Sequence, residues 1–254
     1  MNRNGPPLTI VRFAQAMLLA CCTMAGSSGI SAAQSPPASA TPSAAATPAA
    51  PRAGSCTIYL LRHGQYDQHD PRDEAVGKGL TELGREQAKR AGARFAALPT
   101  PVTQVFASPL TRARESAALA AAVMGLEPVT VTDLAECTPP TIRADIMATE
   151  TPGALDSCRL QLERDFERFF RPTTGADSTI LLVAHGNVIR YLAGRAIGLD
   201  PKLWLNLSFP HGSVAMVRVR PDRSMQLHAI GDIGHLPPAM VTYVNPPADT
   251  TVKR

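Results

Sequence analysis

The segment Thr57-Ile58-Tyr59-Leu60-Leu61-Arg62-His63-Gly64 decides the fold of this chain, because a short apolar run ends in a histidine and a glycine. A second run, Thr179-Ile180-Leu181-Leu182-Val183-Ala184, is followed by His185-Gly186. Continuous aliphatic and β-branched runs of this length are typical of strands buried on both faces of a parallel sheet. Ligands of open α/β sheets bind beyond the carboxyl ends of the strands. The sequence therefore predicts an anion site in which the two imidazoles meet.

Strands and helices alternate through the rest of the chain. Helices are predicted from Thr81, through residues 111–124, near 156–170 and near 187–196, and residues 133–152 are predicted to be irregular. Further strands are predicted at 103–107 and 128–132, with a closing antiparallel pair at 214–220 and 225–230. This order predicts an α/β protein with three α/β/α layers, a mostly parallel central sheet and helices on both faces.

The first 33 residues have the composition of an N-terminal targeting segment. Arg3 and Arg12 precede an apolar stretch at residues 13–25, and small residues end the segment at 31–33. A basic start, a short apolar middle and small residues predict a secretory signal peptide, and hence a bacterial periplasmic or secreted protein. The apolar stretch is short for a membrane span, so no span is predicted in the mature chain. An uncleaved anchoring helix and lipidation at Cys21 are the alternatives.

Residues 34–54 are almost wholly Ala, Pro, Ser and Thr, which predicts a flexible linker. Residues 55–254 then form the predicted folded domain, long enough for one hydrophobic core. The whole chain carries 25 basic and 21 acidic residues. Removing Arg3, Arg12 and Arg52 leaves 22 against 21 for residues 55–254. This near-neutral domain shows no basic stripe, so no nucleic-acid partner is predicted.

Three cysteines fall within the predicted domain: Cys56, Cys137 and Cys158. Their spacing matches no zinc pattern, and no metal or cofactor is predicted. In an oxidising compartment one pair could form a disulfide, and Cys137 with Cys158 is the first pair to test. Three reduced and mostly buried thiols are the alternative.

Four motifs follow one another in a characteristic order: Leu61-Arg62-His63-Gly64, Leu80-Thr81 with Gly84-Arg85 and Gln87-Ala88, Ser108 with Arg112-Ala113 and Glu115, and His185-Gly186. Together they resemble the histidine phosphatase (phosphoglycerate mutase-like) superfamily. Segments 62–66, 80–88, 187–191 and 231–238 resemble its mitochondrial serine/threonine protein phosphatase branch. Residues 1–33 differ from that branch, because their composition predicts bacterial export.

The resemblance implies a metal-free phosphoryl transfer. His63 is then the nucleophile that forms a phosphohistidine, and Arg62 and Arg112 hold the phosphoryl oxygens with forked donors. Neighbouring cations keep His63 unprotonated. His185 is the second imidazole, which donates to the transferring group.

The proton donor is the part that departs from the family pattern. In the family it is a carboxylate just after a short central strand, and Glu136 occupies that place. The usual Arg-Glu-Gly is replaced here by Ala135-Glu136-Cys137. Asp133 is the fallback. Gln65 and Asn187 are predicted to contact phosphate or substrate, and Arg143 to bind a second anionic group of the substrate.

The predicted function is an exported phosphatase for phosphate monoesters, on small molecules or on phosphoserine and phosphothreonine peptides. A phosphoglycerate mutase or sugar bisphosphatase on the same scaffold is the first alternative. A phosphate-binding module without turnover is the second. His211 and His235 are predicted either at the rim of the pocket or on the surface.

Overall fold

The computed structural model describes residues 52–73 and 75–243. The predicted signal peptide, the alternative lipidation site at Cys21 and residues 34–51 of the predicted linker lie outside the described residues.

Eight strands and five helices make up the described part of the chain. The strands are β1 (Ala53–Gly54), β2 (Cys56–Arg62), β3 (Gln104–Ala107), β4 (Pro128–Thr130), β5 (Thr173–Thr174), β6 (Ser178–Ala184), β7 (Val214–Val219) and β8 (Met225–Asp232). The helices are α1 (Glu82–Ala96), α2 (Thr111–Met124), α3 (Ala144–Met147), α4 (Pro152–Phe169) and α5 (Gly186–Ala196). Short 3-10 turns lie at Thr132–Leu134, Pro201–Asn206 and Pro238–Met240.

The main sheet has six strands in the order β4-β3-β6-β2-β7-β8. The first four are parallel, and β7 and β8 join antiparallel at one side. The predicted mostly parallel sheet with a closing hairpin is therefore confirmed. The short strands β1 and β5 form a separate antiparallel pair, so Ala53 and Gly54 at the end of the predicted linker are ordered against Thr174 and Thr173.

Helices cover both faces of the sheet, as predicted. Along β2 the side chains alternate between two cores, because successive residues of a strand point to opposite faces. Ile58 and Leu60 pack in the core with α4 and α5, and Tyr59 and Leu61 pack in the core with α1 and α2. Burial of both sets explains why this strand is apolar throughout instead of alternating.

Local capping signals set the ends of the helices. Thr81 caps α1 as predicted, because its side chain accepts a hydrogen bond from the Gly84 N–H at 3.0 Å. Helix α4 begins at Pro152, a few residues before the predicted start near 156, because Thr151 caps it and proline suits the first helical position. The segment predicted to be irregular contains the turn at Thr132–Leu134 and the short helix α3.

A disulfide joins Cys137, in the loop after the first 3-10 turn, to Cys158 of α4. This is the pair that the sequence put first. Cys56 is a buried free thiol. Among residues 52–73 and 75–243, no helix has the length and apolar composition that crossing a bilayer requires.

Candidate active site

The register of β2 and β6 brings two histidines together. Arg62 pairs with Ala184 at the ends of these parallel strands, so His63 and His185 follow at the same level of the sheet. The His63 N–H donates to the Ala184 carbonyl at 3.0 Å, and the two ring centroids are 5.0 Å apart. Both rings are buried. One tetrahedral anion can therefore contact both imidazoles.

Hydrogen bonding sets the orientation of the His63 ring. Its Nδ1 lies 2.7 Å from the Gly64 carbonyl oxygen, which can only accept, so Nδ1 carries the proton. In the neutral ring Nε2 then keeps its lone pair. Burial, followed by His185 and Arg62, holds the pKa of His63 well below its ordinary value. The ring is therefore neutral and has a free nitrogen for nucleophilic attack.

Gly64 lets the loop after β2 approach the start of α1 closely. A Cβ at Gly64 would lie 2.2 Å from the carbonyl oxygen of Gly84, which no side chain tolerates. The Gly64 N–H donates to Ser116 Oγ at 3.0 Å, so the loop is also bound to α2. The glycine that follows His63 is thus required by packing between two helices.

His185 is oriented by Ser108, which follows the neighbouring strand β3. His185 Nε2 and Ser108 Oγ are 2.7 Å apart, while His185 Nδ1 is buried without a hydrogen-bond partner. Burial, followed by Arg112 and Arg62, holds the pKa of His185 well below its ordinary value. A buried ring nitrogen without a partner is a vacant position for a ligand atom.

Arg62 is a buried cation beside the two rings. It donates through one terminal nitrogen to the Phe209 carbonyl, and the other lies 3.4 Å from His211 Nε2. Its Nε has no partner. Burial lowers the pKa of Arg62 to about 10, so the guanidinium is still charged at neutral pH.

Arg112 supplies a second buried guanidinium from the first turn of α2. Its Cζ lies 5.0 Å from the centre of the Tyr66 ring, and its Nε and one terminal nitrogen have no partner. Forked donors without partners match the oxygens of a phosphoryl group, which would complete their hydrogen bonding.

Glu136 lies at the wall of the same cavity. One of its carboxyl oxygens, Oε1, is buried and has no hydrogen-bond partner. Burial raises the pKa of Glu136, although Arg62 and Arg112 oppose that effect. The carboxyl group therefore lies at the cavity wall, and burial favours its protonated form, as a proton donor needs. The fallback Asp133 does not line the cavity, because Arg164 binds its carboxylate at 3.0 Å on an exposed surface.

The cavity has a volume of about 620 Å³ and is lined by His63, while His185 lies buried beside His63. Its polar wall includes Arg62, His63, Arg112, Glu136, Asn187 and Arg190. Its apolar wall includes Trp204, Leu205, Leu207, Phe209 and Tyr243. The site therefore joins an anion-binding floor to an apolar side that can contact the rest of a substrate.

The three residues predicted to bind substrate are placed differently from one another. Asn187 lines the cavity and donates to the Cys137 carbonyl at 3.2 Å. Gln65 does not line it, because its side chain accepts from the Thr81 hydroxyl at 2.9 Å beside the cap of α1. Arg143 does not line it either, since its guanidinium binds Asp145 at 2.8 Å on the exposed face of α3.

Sequence reasoning missed two residues of the cavity, Tyr66 and Arg190, and left His211 open between the pocket rim and the surface. Tyr66 and Arg190 lie within segments that carried the family resemblance, and their positions just after His63 and one turn after Asn187 were the available signal. The structure buries His211, with its ring centroid 5.6 Å from that of His63. No local pattern could have shown this, because His211 reaches the site from the loop before β7.

Several curated proteins are similar to this chain over most of its length. Serine/threonine-protein phosphatase Pgam5, mitochondrial, of Caenorhabditis briggsae is 35% identical over 197 residues, covering 74% of this chain and 67% of that protein. The protein of the same name from Xenopus tropicalis is 31% identical over 189 residues, covering 73% and 67%. The mouse protein is 32% identical over 192 residues, covering 73% and 65%. The chain spans about two thirds of the length of these relatives.

Solved structures share the fold at lower identity. The phosphoglycerate mutase of Plasmodium falciparum superposes with a TM-score of 0.52 and 22% identity, covering 75% of this chain and 99% of that one. The alpha-ribazole phosphatase of Shigella flexneri superposes with a TM-score of 0.55 and 16% identity, covering 69% and 96%. At such identities the likeness shows the α/β fold and nothing about the substrate.

The predicted bacterial periplasmic or secreted location is wrong in the light of these relatives. They are mitochondrial proteins of eukaryotes, whereas the prediction rested on residues 1–33 alone. Arginines without acidic residues, followed by apolar and small residues, are common to secretory signals and mitochondrial leaders. Composition therefore could not separate the two, and this segment lies outside the described residues.

The profile of the histidine phosphatase superfamily (branch 1) matches residues 58–143 and 167–232. These ranges contain both histidines, both buried arginines and Glu136. The matched profile, the identity to the curated phosphatases and the geometry around His63 lead to one conclusion. This chain belongs to the histidine phosphatase superfamily and is a phosphatase.

Proposed function

We propose that this phosphatase hydrolyses phosphate monoesters through a phosphohistidine formed on His63. One observation carries the proposal: the rings of His63 and His185 lie 5.0 Å apart, beside two buried guanidinium groups that each keep at least one donor without a partner. A phosphoryl group there meets a neutral nucleophile and fixed positive charge at the same time.

The first step transfers the phosphoryl group to the enzyme. Nε2 of His63 attacks phosphorus and forms a P–N bond, while the bond between phosphorus and the ester oxygen breaks. Arg62 and Arg112 stay with the phosphoryl oxygens throughout, and the ring of His185 lies beside that of His63. Glu136 gives its proton to the departing alkoxide, which leaves as the alcohol.

The second step releases phosphate. The Glu136 carboxylate, now deprotonated, takes a proton from a water molecule that attacks phosphorus. The P–N bond breaks, inorganic phosphate leaves, and His63 and Glu136 return to their starting protonation states. One carboxyl group thus serves as acid and then as base, which its raised pKa favours.

Phosphoserine and phosphothreonine in peptides are the substrates that we propose. The names of the curated relatives support this choice. The apolar wall formed by Trp204, Leu205, Leu207, Phe209 and Tyr243 also supports it, because peptide side chains can pack there. The mature location of the enzyme is not part of this proposal.

Arg190 favours one second candidate, a mutase or bisphosphatase acting on sugar phosphates. Arg190 lines the cavity, and its Nε is buried without a partner, so it could bind a second anionic group. Such a substrate would need that cation, whereas a phosphopeptide would not. Arg190→Gln therefore separates the two candidates, because it should weaken activity on a sugar bisphosphate far more than on a phosphopeptide.

The test uses the full-length chain with a chelator present. The protein should release phosphate from a phosphoserine peptide. After rapid quenching without acid, it should also carry an acid-labile phosphoryl group. His63→Ala should lower kcat by more than about a thousandfold, as removal of a nucleophile does. His69→Ala is the matched control, since His69 is an exposed histidine in the next loop and should leave kcat unchanged.

Three results would contradict the proposal. Full activity in His63→Ala would show that His63 is not the nucleophile. Isomerisation of phosphoglycerate without net phosphate release would favour the mutase. Tight phosphate binding with no trapped phosphoenzyme would favour a binding module without turnover.

A further inference from the structure

We propose that the Cys137–Cys158 disulfide positions Glu136 for proton donation, an inference that rests on the proposed function. The disulfide follows the proposed acid directly, at the place where the family pattern has glycine. Breaking it should therefore impair cleavage of esters whose leaving group needs a proton, and should spare esters whose leaving group does not.

The disulfide connects the acid to the rigid part of the molecule. Cys137 is the residue after Glu136, and its partner Cys158 is buried in α4. Around Cys158, Leu162 and Phe166 of the same helix belong to the core beneath the sheet. Only one peptide unit and one cystine thus separate the backbone of Glu136 from a close-packed core, where displacements are costly.

The other flank of Glu136 is attached to the same helix. Gln161, one turn after Cys158, donates through Nε2 to the carbonyl oxygens of Asp133 at 2.7 Å and Ala135 at 2.9 Å. The disulfide is the covalent attachment on the following side, where the amide of Asn187 adds one hydrogen bond of 3.2 Å to the Cys137 carbonyl. The acid is therefore held between two attachments to α4.

A hydrogen bond from the Asn187 backbone N–H is the direct contact that holds the Glu136 carboxyl group. Its Oε1 makes no hydrogen bond. None of the ion pairs between described residues involves Glu136. The position of the backbone then decides where the proton is delivered. Misplacing a catalytic group by about 1 Å can cost about a hundredfold in rate.

Reduction is the cleanest perturbation, because it leaves every side chain other than the cysteines unchanged. A small dithiol supplies two electrons and two protons, the S–S bond breaks into the thiols of Cys137 and Cys158, and the dithiol is oxidised to its own disulfide. After reduction the flank that follows Glu136 loses its covalent attachment and keeps hydrogen bonds from Asn187 to the Cys137 carbonyl and from Trp204 to the Pro140 carbonyl.

The experiment compares kcat/KM on two esters with the full-length chain, before and after dithiothreitol. A phosphoserine peptide has a poor leaving group that needs the acid, and p-nitrophenyl phosphate has a good one that does not. Reduction should lower kcat/KM about ten- to a hundredfold for the peptide and less than about twofold for the aryl ester. The ratio of the two values is the readout, because general damage would lower both alike.

Two variants make the assignment specific. The double variant Cys137→Ser/Cys158→Ser should show the lowered ratio without dithiothreitol and should not respond to it. Cys56→Ala removes the buried free thiol at the opposite end of β2 and should respond to reduction as the unchanged chain does. Near-ultraviolet circular dichroism verifies that each form is folded.

Each outcome decides the inference. An unchanged ratio after complete reduction, measured as two additional thiols, would overturn it, as would an equal loss on both esters. An oxidised chain that forms the phosphohistidine and cleaves both esters upholds the proposed function whatever reduction does. An oxidised chain that cleaves neither would end the proposed function, and this inference with it.

Discussion

Asp165 should make the stability of this protein fall as the pH rises. The residue lies on α4, is only 1% exposed, and neither oxygen of its carboxyl group has a hydrogen-bond partner. Burial, reinforced by the charge of Asp133, raises the pKa of Asp165 from 3.8 to about 7. A carboxyl group in this setting is stable when neutral and costly when ionised.

The magnitude follows from proton linkage. The folded state binds the proton more tightly than the unfolded state, so stability is highest below about pH 4 and is lost as the pH rises to about 7. The difference between about 7 and 3.8, at about 1.4 kcal/mol for each pKa unit, gives a loss of up to about 4 kcal/mol. Asp165→Asn keeps the shape and removes the ionisation. It should therefore raise the free energy of unfolding by only about 1 kcal/mol at pH 4.5 and by about 4 kcal/mol at pH 8.

Urea unfolding at these two pH values measures the effect. Trp204 is the single tryptophan of the chain and is buried, so its fluorescence reports the transition. Asp156→Asn is the matched control, because Asp156 lies on the same helix with its side chain 71% exposed. The reasoning fails if Asp165→Asn changes the unfolding free energy equally at both pH values, or if it destabilises the protein at pH 8.

Three further perturbations test the site. Gly84→Ala should destabilise the chain by about 2 to 3 kcal/mol in urea unfolding, because a Cβ there would lie 1.9 Å from the Gln65 carbonyl oxygen; unchanged stability would contradict this packing. Ser108→Ala should lower kcat about tenfold, since it removes the 2.7 Å hydrogen bond that orients His185, and an unchanged kcat in the folded variant would mean that the ring needs no such partner. For a phosphoserine peptide, kcat/KM should fall as the pH rises through the raised pKa of Glu136, because only the protonated acid can donate. Glu136→Gln should lower kcat/KM at least about a hundredfold and abolish its decrease at high pH. If the decrease persists in this variant, another group causes it.

Local sequence patterns predicted the fold because the burial of strands and helices determines which residues along the chain are apolar. The two apolar runs before His63 and His185 are buried on both faces, and that burial is what made them continuous. The helix starting at Thr81 was readable from its cap. The start of α4 was placed a few residues late, because its signal was the cap at Thr151 and the following proline rather than apolar spacing.

Sequence alone determined that His63 and His185 follow buried strands of a mostly parallel sheet, because burial on both faces makes such strands continuously apolar. Tertiary structure alone decided that Arg62 donates to the Phe209 carbonyl, that His211 lies beside it, and that Gln161 of α4 binds the loop of Glu136. These contacts join segments far apart in the chain, and such pairs leave no periodic pattern in the residues on either side. Only the packing of helices and loops onto the finished sheet brings them together.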